Sequence, residues 1–295
     1  MKKLILSSFC LIAAATLFAQ QPASPKKPVT DTYFNWKVTD NYRWLEDTKD
    51  TAVKTWFKSQ ADYTNAQLNK IPGRDSLIKT FQQYNMLKPY TITDVVKKGG
   101  RYFYKKTLPT ENVGKLYYKA GIDGKEILLY TPKTIGGKAY AVNYFLPSED
   151  GKKLAYGISV SGSETSTIYA MDVDTKKVYP EKIYPSWFGV SGWTPDSKGF
   201  IYTMQNNGDI TAVSSMTDTR SMYHRLGTPV SADKLLLSRK KYPKLNLKPE
   251  DLCFVFYSED MKYIYGLPGG VDPDYTLFYA AAADLLKPVI NWKQL

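Results

Sequence analysis

Two spacings of apolar residues divide the chain. From Asp47 to about Gln83 they recur near helical spacing, through Val53, Trp56, Phe57, Gln60, Tyr63 and Thr64, until Pro72-Gly73 interrupts the run. A second short helix is expected after Gly73, with Leu77, Ile78 and Phe81 on its apolar side. After Pro89 the pattern changes to short runs rich in Tyr, Val, Ile and Phe. Arg101–Lys105, Lys115–Tyr118 and Lys125–Tyr130 read as strands, the last entered through the hairpin-type turn Asp123-Gly124. No further helix is expected before the Ala280–Ala283 run, the one later candidate. Many short strands separated by turns mean a sandwich, a barrel or a propeller.

An internal repeat favours the propeller. Ser148-Glu149-Asp150-Gly151 followed by Leu154-Ala155-Tyr156 returns as Thr194-Pro195-Asp196-Ser197 followed by Phe200-Ile201-Tyr202. It returns again as Ser258-Glu259-Asp260-Met261 before Tyr263-Ile264-Tyr265. Lys98-Gly99-Gly100-Arg101 before Tyr102-Phe103-Tyr104 is a fainter version. Each copy is a tight turn in which Asp can bond its own downstream backbone, followed by an aromatic strand. A strand–turn–strand unit repeating roughly every 45 to 65 residues suits four-stranded blades. The expected fold is mainly β: about four propeller blades between Asp94 and the C-terminus, behind a short helical segment.

The ends and the composition add location and exclusions. Met1-Lys2-Lys3, the apolar run Leu4–Phe18 and the small residue Ala19 have the pattern of a secretory signal peptide over residues 1–19. The apolar run is short of the ~20 residues a transmembrane helix needs. Residues 20–30 (QQPASPKKPVT) read as a flexible leader. The expectation is export to the periplasm or beyond, with no stable membrane span after cleavage. Among 295 residues the formal net charge is +12, or +10 without Lys2 and Lys3, but the bases are spread thinly and form no helical stripe, so no nucleic-acid partner is expected. Removal of the leader with Cys10 leaves Cys253 without an intrachain disulfide partner, and Leu252–Phe256 reads as a buried strand around an inert thiol.

The segment Asp40-Asn41-Tyr42-Arg43-Trp44-Leu45-Glu46-Asp47 resembles the N-terminal signature of the prolyl oligopeptidase family, usually D-P-Y-R-W-L-E-D, with Asn41 in place of Pro. Ile71-Pro72-Gly73-Arg74, Gly100–Tyr104, Ser161–Glu164, Gly192-Trp193-Thr194 and His224–Thr228 follow in the family's order. The similarity runs from about Thr30 to Gly266, and the last thirty residues match poorly. Such a resemblance implies a serine endopeptidase that cleaves short peptides after proline. In that family, leading helices wrap onto a C-terminal α/β-hydrolase domain carrying the Ser-Asp-His triad, and a seven-bladed propeller restricts entry. On this reading residues 31–90 are the N-terminal helical segment and 91–295 an incomplete propeller, with the hydrolase domain absent.

The residues themselves offer no catalytic set. A nucleophile elbow needs G-x-S-x-G between a strand and a helix. Gly189-Val190-Ser191-Gly192-Trp193 ends in the wrong residue, and Gly157-Ile158-Ser159-Val160-Ser161-Gly162 is one residue too long. His224 is the one histidine and is expected to be structural, on a strand edge. Asp172-Val173-Asp174 is only a fragment of a calcium loop, and no phosphate loop or dinucleotide fingerprint occurs. Glu46 and Asp47 read as acids favouring a helix start rather than a catalytic pair. No catalytic, cofactor-binding or metal residue is therefore assigned. The leading expectation is a non-catalytic portion of a peptidase, inactive alone, meeting short proline-containing peptides if a hydrolase domain completes it. The alternatives are an exported propeller binding module and one half of a split peptidase.

Overall fold

The structure, a computed structural model, describes residues 21–270 and 274–295, so the expected signal peptide lies outside the described residues. The described residues group into two units, one ending at Leu87 and the other beginning at Lys88.

In the first unit, helix α1 (Thr51–Leu68) begins where the Asp50 carboxylate accepts the Ala52 N–H at 2.8 Å, satisfying one of the donors a helix start leaves unpaired. Gly73, at φ +79°, turns the chain into α2 (Arg74–Leu87). Ahead of the helices, β1 (Val29–Tyr33) and β2 (Trp36–Asp40) form an antiparallel hairpin that the helical reading of this region did not contain. Its turn, Phe34-Asn35, is left-handed at both residues (φ 47° and 72°), a state that Asn adopts more readily than Phe. With no glycine in the turn, the usual hairpin signal was missing. The stretch read as a leader supplies acceptors: Pro22 O to Gln60 Nε2 at 2.7 Å and Pro25 O to Trp44 Nε1 at 2.9 Å.

The second unit is four sheets in which each strand pairs antiparallel with its neighbour in sequence. Blade 1 comprises β3 (Thr91–Lys98), β4 (Arg101–Thr107), β5 (Lys115–Ala120) and β6 (Glu126–Tyr130). Blade 2 comprises β7 (Thr134–Ile135), β8 (Lys138–Pro147), β9 (Lys153–Val160), β10 (Ser166–Asp172) and β11 (Ile183–Ser186). Blade 3 comprises β12 (Val190–Trp193), β13 (Gly199–Met204), β14 (Arg220–Arg225) and β15 (Lys234–Leu237). Blade 4 comprises β16 (Leu252–Tyr257), β17 (Tyr263–Gly269), β18 (Phe278–Ala281) and β19 (Lys293–Gln294). The Ala280–Ala283 run is therefore not a helix. Pairing of Ile264 with Ala280 and of Tyr263 with Ala281 draws it into the sheet, overriding alanine's helix preference, and a 3-10 turn follows at Ala282–Asp284.

The repeated turns share one construction. In each, the first hydroxyl donates to the Asp at 2.7 Å: Ser148 to Asp150, Thr194 to Asp196, Ser258 to Asp260. The same carboxylate oxygen accepts the N–H two residues on, from Lys152, Lys198 and Lys262 at 3.0–3.1 Å. The residue after the Asp is left-handed each time, Gly151, Ser197 and Met261 at φ 67°, 56° and 58°. These turns join the first two strands of blades 3 and 4, β12–β13 and β16–β17, and in blade 2, where the two-residue β7 precedes them, β8–β9. The fainter copy, Gly99-Gly100, joins β3 to β4.

Strand alternation then distributes the core. Phe103, Leu116, Leu154 and Tyr156 belong to a cluster at the junction of blades 1 and 2. Ala155, between Leu154 and Tyr156, faces the other way into the blade 2–3 cluster with Trp193, Phe200 and Tyr202. Ile201, between Phe200 and Tyr202, faces the blade 3–4 cluster with Val255, Ile264 and Trp292.

Candidate functional site

The one imidazole is where acid–base chemistry would have to reside. His224 lies on β14, between β13 and β15 rather than at a sheet edge, and is fully buried. Its Nδ1 meets Asp233 Oδ1 at 2.7 Å, and its Nε2 meets Glu181 Oε1 at 3.2 Å. Burial by itself disfavours the charged ring, but the two carboxylates outweigh it and hold the His224 pKa above its ordinary value. Tyr202 Oη donates to Asp233 Oδ2 at 2.8 Å, and the Gly227 N–H donates to Glu181 Oε1 at 2.7 Å. A general base needs one nitrogen free to reach a nucleophile. Here both are occupied by carboxylates, so the cluster ties the β10–β11 connection of blade 2 to blade 3.

Ser191 and Ser159, one from each near-elbow motif, are also engaged in the fold. Ser191, on β12, donates to Val255 O of blade 4 at 2.5 Å. Ser159 donates to Asn143 Oδ1 at 2.9 Å. Asp172 accepts from Lys153 Nζ at 2.6 Å and from Thr175 N and Oγ1 at 2.9 and 2.8 Å, and Asp174 pairs with Arg101 at 2.7 Å. Lys153 first, then the Thr175 donors, holds the Asp172 carboxyl well below the usual range. Among the described residues no group of three or more His, Cys, Asp or Glu is placed to hold a metal ion. Cys253 is buried on β16, and burial pushes its thiol up to about 12. Glu46 ends a 3-10 turn, and Asp47 accepts the Lys49 N–H at 3.0 Å.

One cavity open to a ligand, of about 390 Å³, is lined by Lys105, Asn143, Tyr144, Ser163, Glu164 and Trp187. Asn143 is fixed by donating to Ser163 O at 3.1 Å and to Ser166 Oγ at 2.9 Å. Lys105 Nζ is held by Asp94 at 2.7 Å. The Tyr144 ring fits closely against two backbone positions. A Cβ on Gly157 would stand 2.2 Å from it and one on Gly189 2.6 Å, so only glycine fits at either. Beside the cavity Trp187 stacks on Phe188 at 6.0 Å, and Phe188 meets Phe254 edge-on at 5.1 Å. Aromatic faces and separated charges of this kind can hold a short peptide, and they supply no acid–base pair. The sequence reading assigned none of these residues, nor Glu181 or Asp233. Asp233 and Glu181 meet His224 across 9 and 43 residues of chain, and no local spacing reports that.

Residues 22–265 match the family description "Prolyl oligopeptidase, N-terminal beta-propeller domain". The chain is 32% identical to a prolyl endopeptidase of Elizabethkingia miricola, over 82% of this chain and 34% of that protein. It is 33% identical to prolyl oligopeptidase A of Galerina marginata, over 70% of this chain and 31% of that one. It therefore spans about a third of the length of these relatives. A solved structure from a mechanistic study of two prolyl endopeptidases superposes with a TM-score of 0.77 at 26% identity, covering 93% of this chain and 39% of its own. Prolyl oligopeptidase B of Galerina marginata, bound to a 35-residue substrate, superposes with a TM-score of 0.72 at 22% identity, a likeness of fold, covering 93% of this chain and 40% of its own.

Proposed function

The chain belongs to the prolyl oligopeptidase family through its N-terminal β-propeller domain, and on that premise we propose that it is the non-catalytic, propeller-bearing portion of an exported serine endopeptidase that cleaves short peptides after proline. The observation that carries this is the family match over residues 22–265, laid on four successive blades built around one repeated turn. The proposed division of labour follows from the site. The blades offer an aromatic-walled cavity that could receive a short peptide, while the lone imidazole is locked between two carboxylates. Hydrolysis is therefore assigned to residues outside this sequence.

Large apolar side chains exposed on the helices, Phe57, Leu77, Phe81, Tyr84 and Leu87, suit a surface that another part of such a peptidase covers. Export rests on the leader pattern at residues 1–19. No helix among the described residues is long and apolar enough to cross a membrane. The binding-module alternative gains one observation, since residues after Gly266 complete blade 4 with β18 and β19.

The test is to incubate the purified 295-residue chain with a chromogenic Gly-Pro anilide. No release above the blank is expected. Turnover that persists in a His224→Gln variant would overturn the assignment of chemistry to residues elsewhere. Export is checked by fractionating cells that express the whole sequence, with the mature chain expected outside the cytoplasm.

A further inference from the structure

One cationic side chain of blade 3 lacks the partner that its surroundings call for. Arg220 opens β14 and is half-buried, and its Nε is fully shielded with no hydrogen-bond acceptor. In the β13–β14 ladder it stands opposite Met204, which offers no charge. The acid nearest in sequence, Asp218, is committed elsewhere. Both its oxygens are taken by Arg239, Nε to Oδ1 at 2.7 Å and Nη2 to Oδ2 at 3.2 Å. Among the described residues the Arg220 guanidinium forms no ion pair. An Nε–H shut off from water with no acceptor is costly, and the rest of the guanidinium, which lines a cavity, has no counter-charge of its own.

A cavity lies where that anion would sit. It has a volume of about 230 Å³ and is lined by Arg220, Arg239, Lys240, Asp218, Asn206 and Leu235. Once Asp218 and Arg239 are set against each other, Arg220 and Lys240 leave the corner with an excess of positive charge. Leu235 and the methylene stems of the basic residues give it an apolar wall. The volume is below the ~300–1,000 Å³ of drug-sized sites, so the occupant is small. The planar fork of an arginine matches a carboxylate in two parallel hydrogen bonds. Inorganic phosphate, by contrast, has no apolar body to place against Leu235.

We propose that this corner of blade 3 is a binding site for a small organic carboxylate, gripped by Arg220, with Lys240 adding charge at the rim and Leu235 receiving the apolar body. The site is separate from the Trp187 cavity and does not depend on the peptidase assignment.

The experiment is calorimetric titration of the full chain with N-acetyl-leucine, with N-acetyl-leucinamide and with inorganic phosphate. The free acid is expected to bind saturably, and the amide and phosphate to bind far more weakly. Arg220→Gln should weaken the free acid by about tenfold or more, the loss of a charge-assisted pair. Lys240→Gln, an exposed position where folding is not at stake, should weaken it by about two- to fivefold. The wild-type comparison of acid with amide stands even if Arg220→Gln fails to fold. Equal binding of acid and amide, tighter binding of phosphate, unchanged affinity in Arg220→Gln, or no saturable binding would each overturn the proposal. The last result would assign Arg220 to an acidic side chain from a protein partner instead.

Discussion

His224 shows how one side chain can look catalytic in a sequence and be structural in the fold. A buried His–Asp pair at 2.7 Å is two-thirds of a relay, but Glu181 occupies the nitrogen that would serve a nucleophile. Its charge should appear instead in stability. Because the folded-state pKa of His224 is raised, the stabilisation from its protonation is complete below the unfolded value of about 6.5 and is lost as pH rises through the folded value. Urea unfolding between about pH 6 and 9 should therefore show wild type's advantage over His224→Gln shrinking as pH rises. His224→Ala, which strands two buried carboxylates, should cost about 3–5 kcal/mol at the low end of that range. A difference that is flat with pH would count against the charged clamp. Cys253 is a simpler case. With its thiol pushed up to about 12 by burial, it should resist alkylation at pH 8 in the folded chain and react once urea unfolds it, as peptide mapping would show.

At the scale of elements, the repeated turn accounts for both the success and the limits of reading the sequence. Ser or Thr, then Asp two residues on, is a local device, so its hydrogen bonds close within five residues and its copies were visible as a pattern. That made the blades legible, including their number. Three things were not. The β1–β2 hairpin turns on Phe34-Asn35 without a glycine; Ala280 and Ala281 become strand only because Ile264 and Tyr263 pair with them; and His224 finds Glu181 across a blade boundary. Each depends on a long-range partner or on an uncommon backbone state.

The Gly99-Gly100 copy adds a contact that only the structure reveals. A Cβ at Gly99 would stand 2.1 Å from the Asp150 carbonyl oxygen, whereas one at Gly100 would meet nothing within 4 Å. Both residues are left-handed, so alanine strains either by about 1–2 kcal/mol. Gly99→Ala should lose about 2–4 kcal/mol because the blade 2 turn must also move, and Gly100→Ala only the smaller amount. Equal losses in denaturant melts would mean that the two turns do not touch.

For the molecule as a whole, the arrangement of its cores predicts where it should open first. Three buried clusters serve four blades, one at each junction between successive blades, and no buried cluster among the described residues joins blade 4 to blade 1. Blades 2 and 3 thus bury both faces, whereas blades 1 and 4 each bury one. The strands reflect this. β9 and β13 are buried along nearly their whole lengths, while β3 is exposed over most of its length and β19 throughout. In a linear array, stability is the sum of each unit's own contribution and its interfaces with neighbours, so a terminal unit holds with one interface where an inner unit has two. Polar ties occur at every junction and so do not alter this ranking: Lys98 Nζ donates to Glu149 Oε2 at 2.6 Å across blades 1 and 2, Trp193 Nε1 to Leu146 O at 2.9 Å across blades 2 and 3, and Thr203 Oγ1 to Cys253 O at 3.1 Å across blades 3 and 4. Native-state hydrogen exchange should accordingly show graded protection, with amides of β9, β10 and β13 exchanging only through the largest opening and those of β3, β18 and β19 through smaller ones. Addition of urea in sub-denaturing steps should bring blades 1 and 4 to exchange before blades 2 and 3. If all four blades exchanged together at every urea concentration, the chain would be closing on itself as one cooperative body, and the open linear array would be wrong.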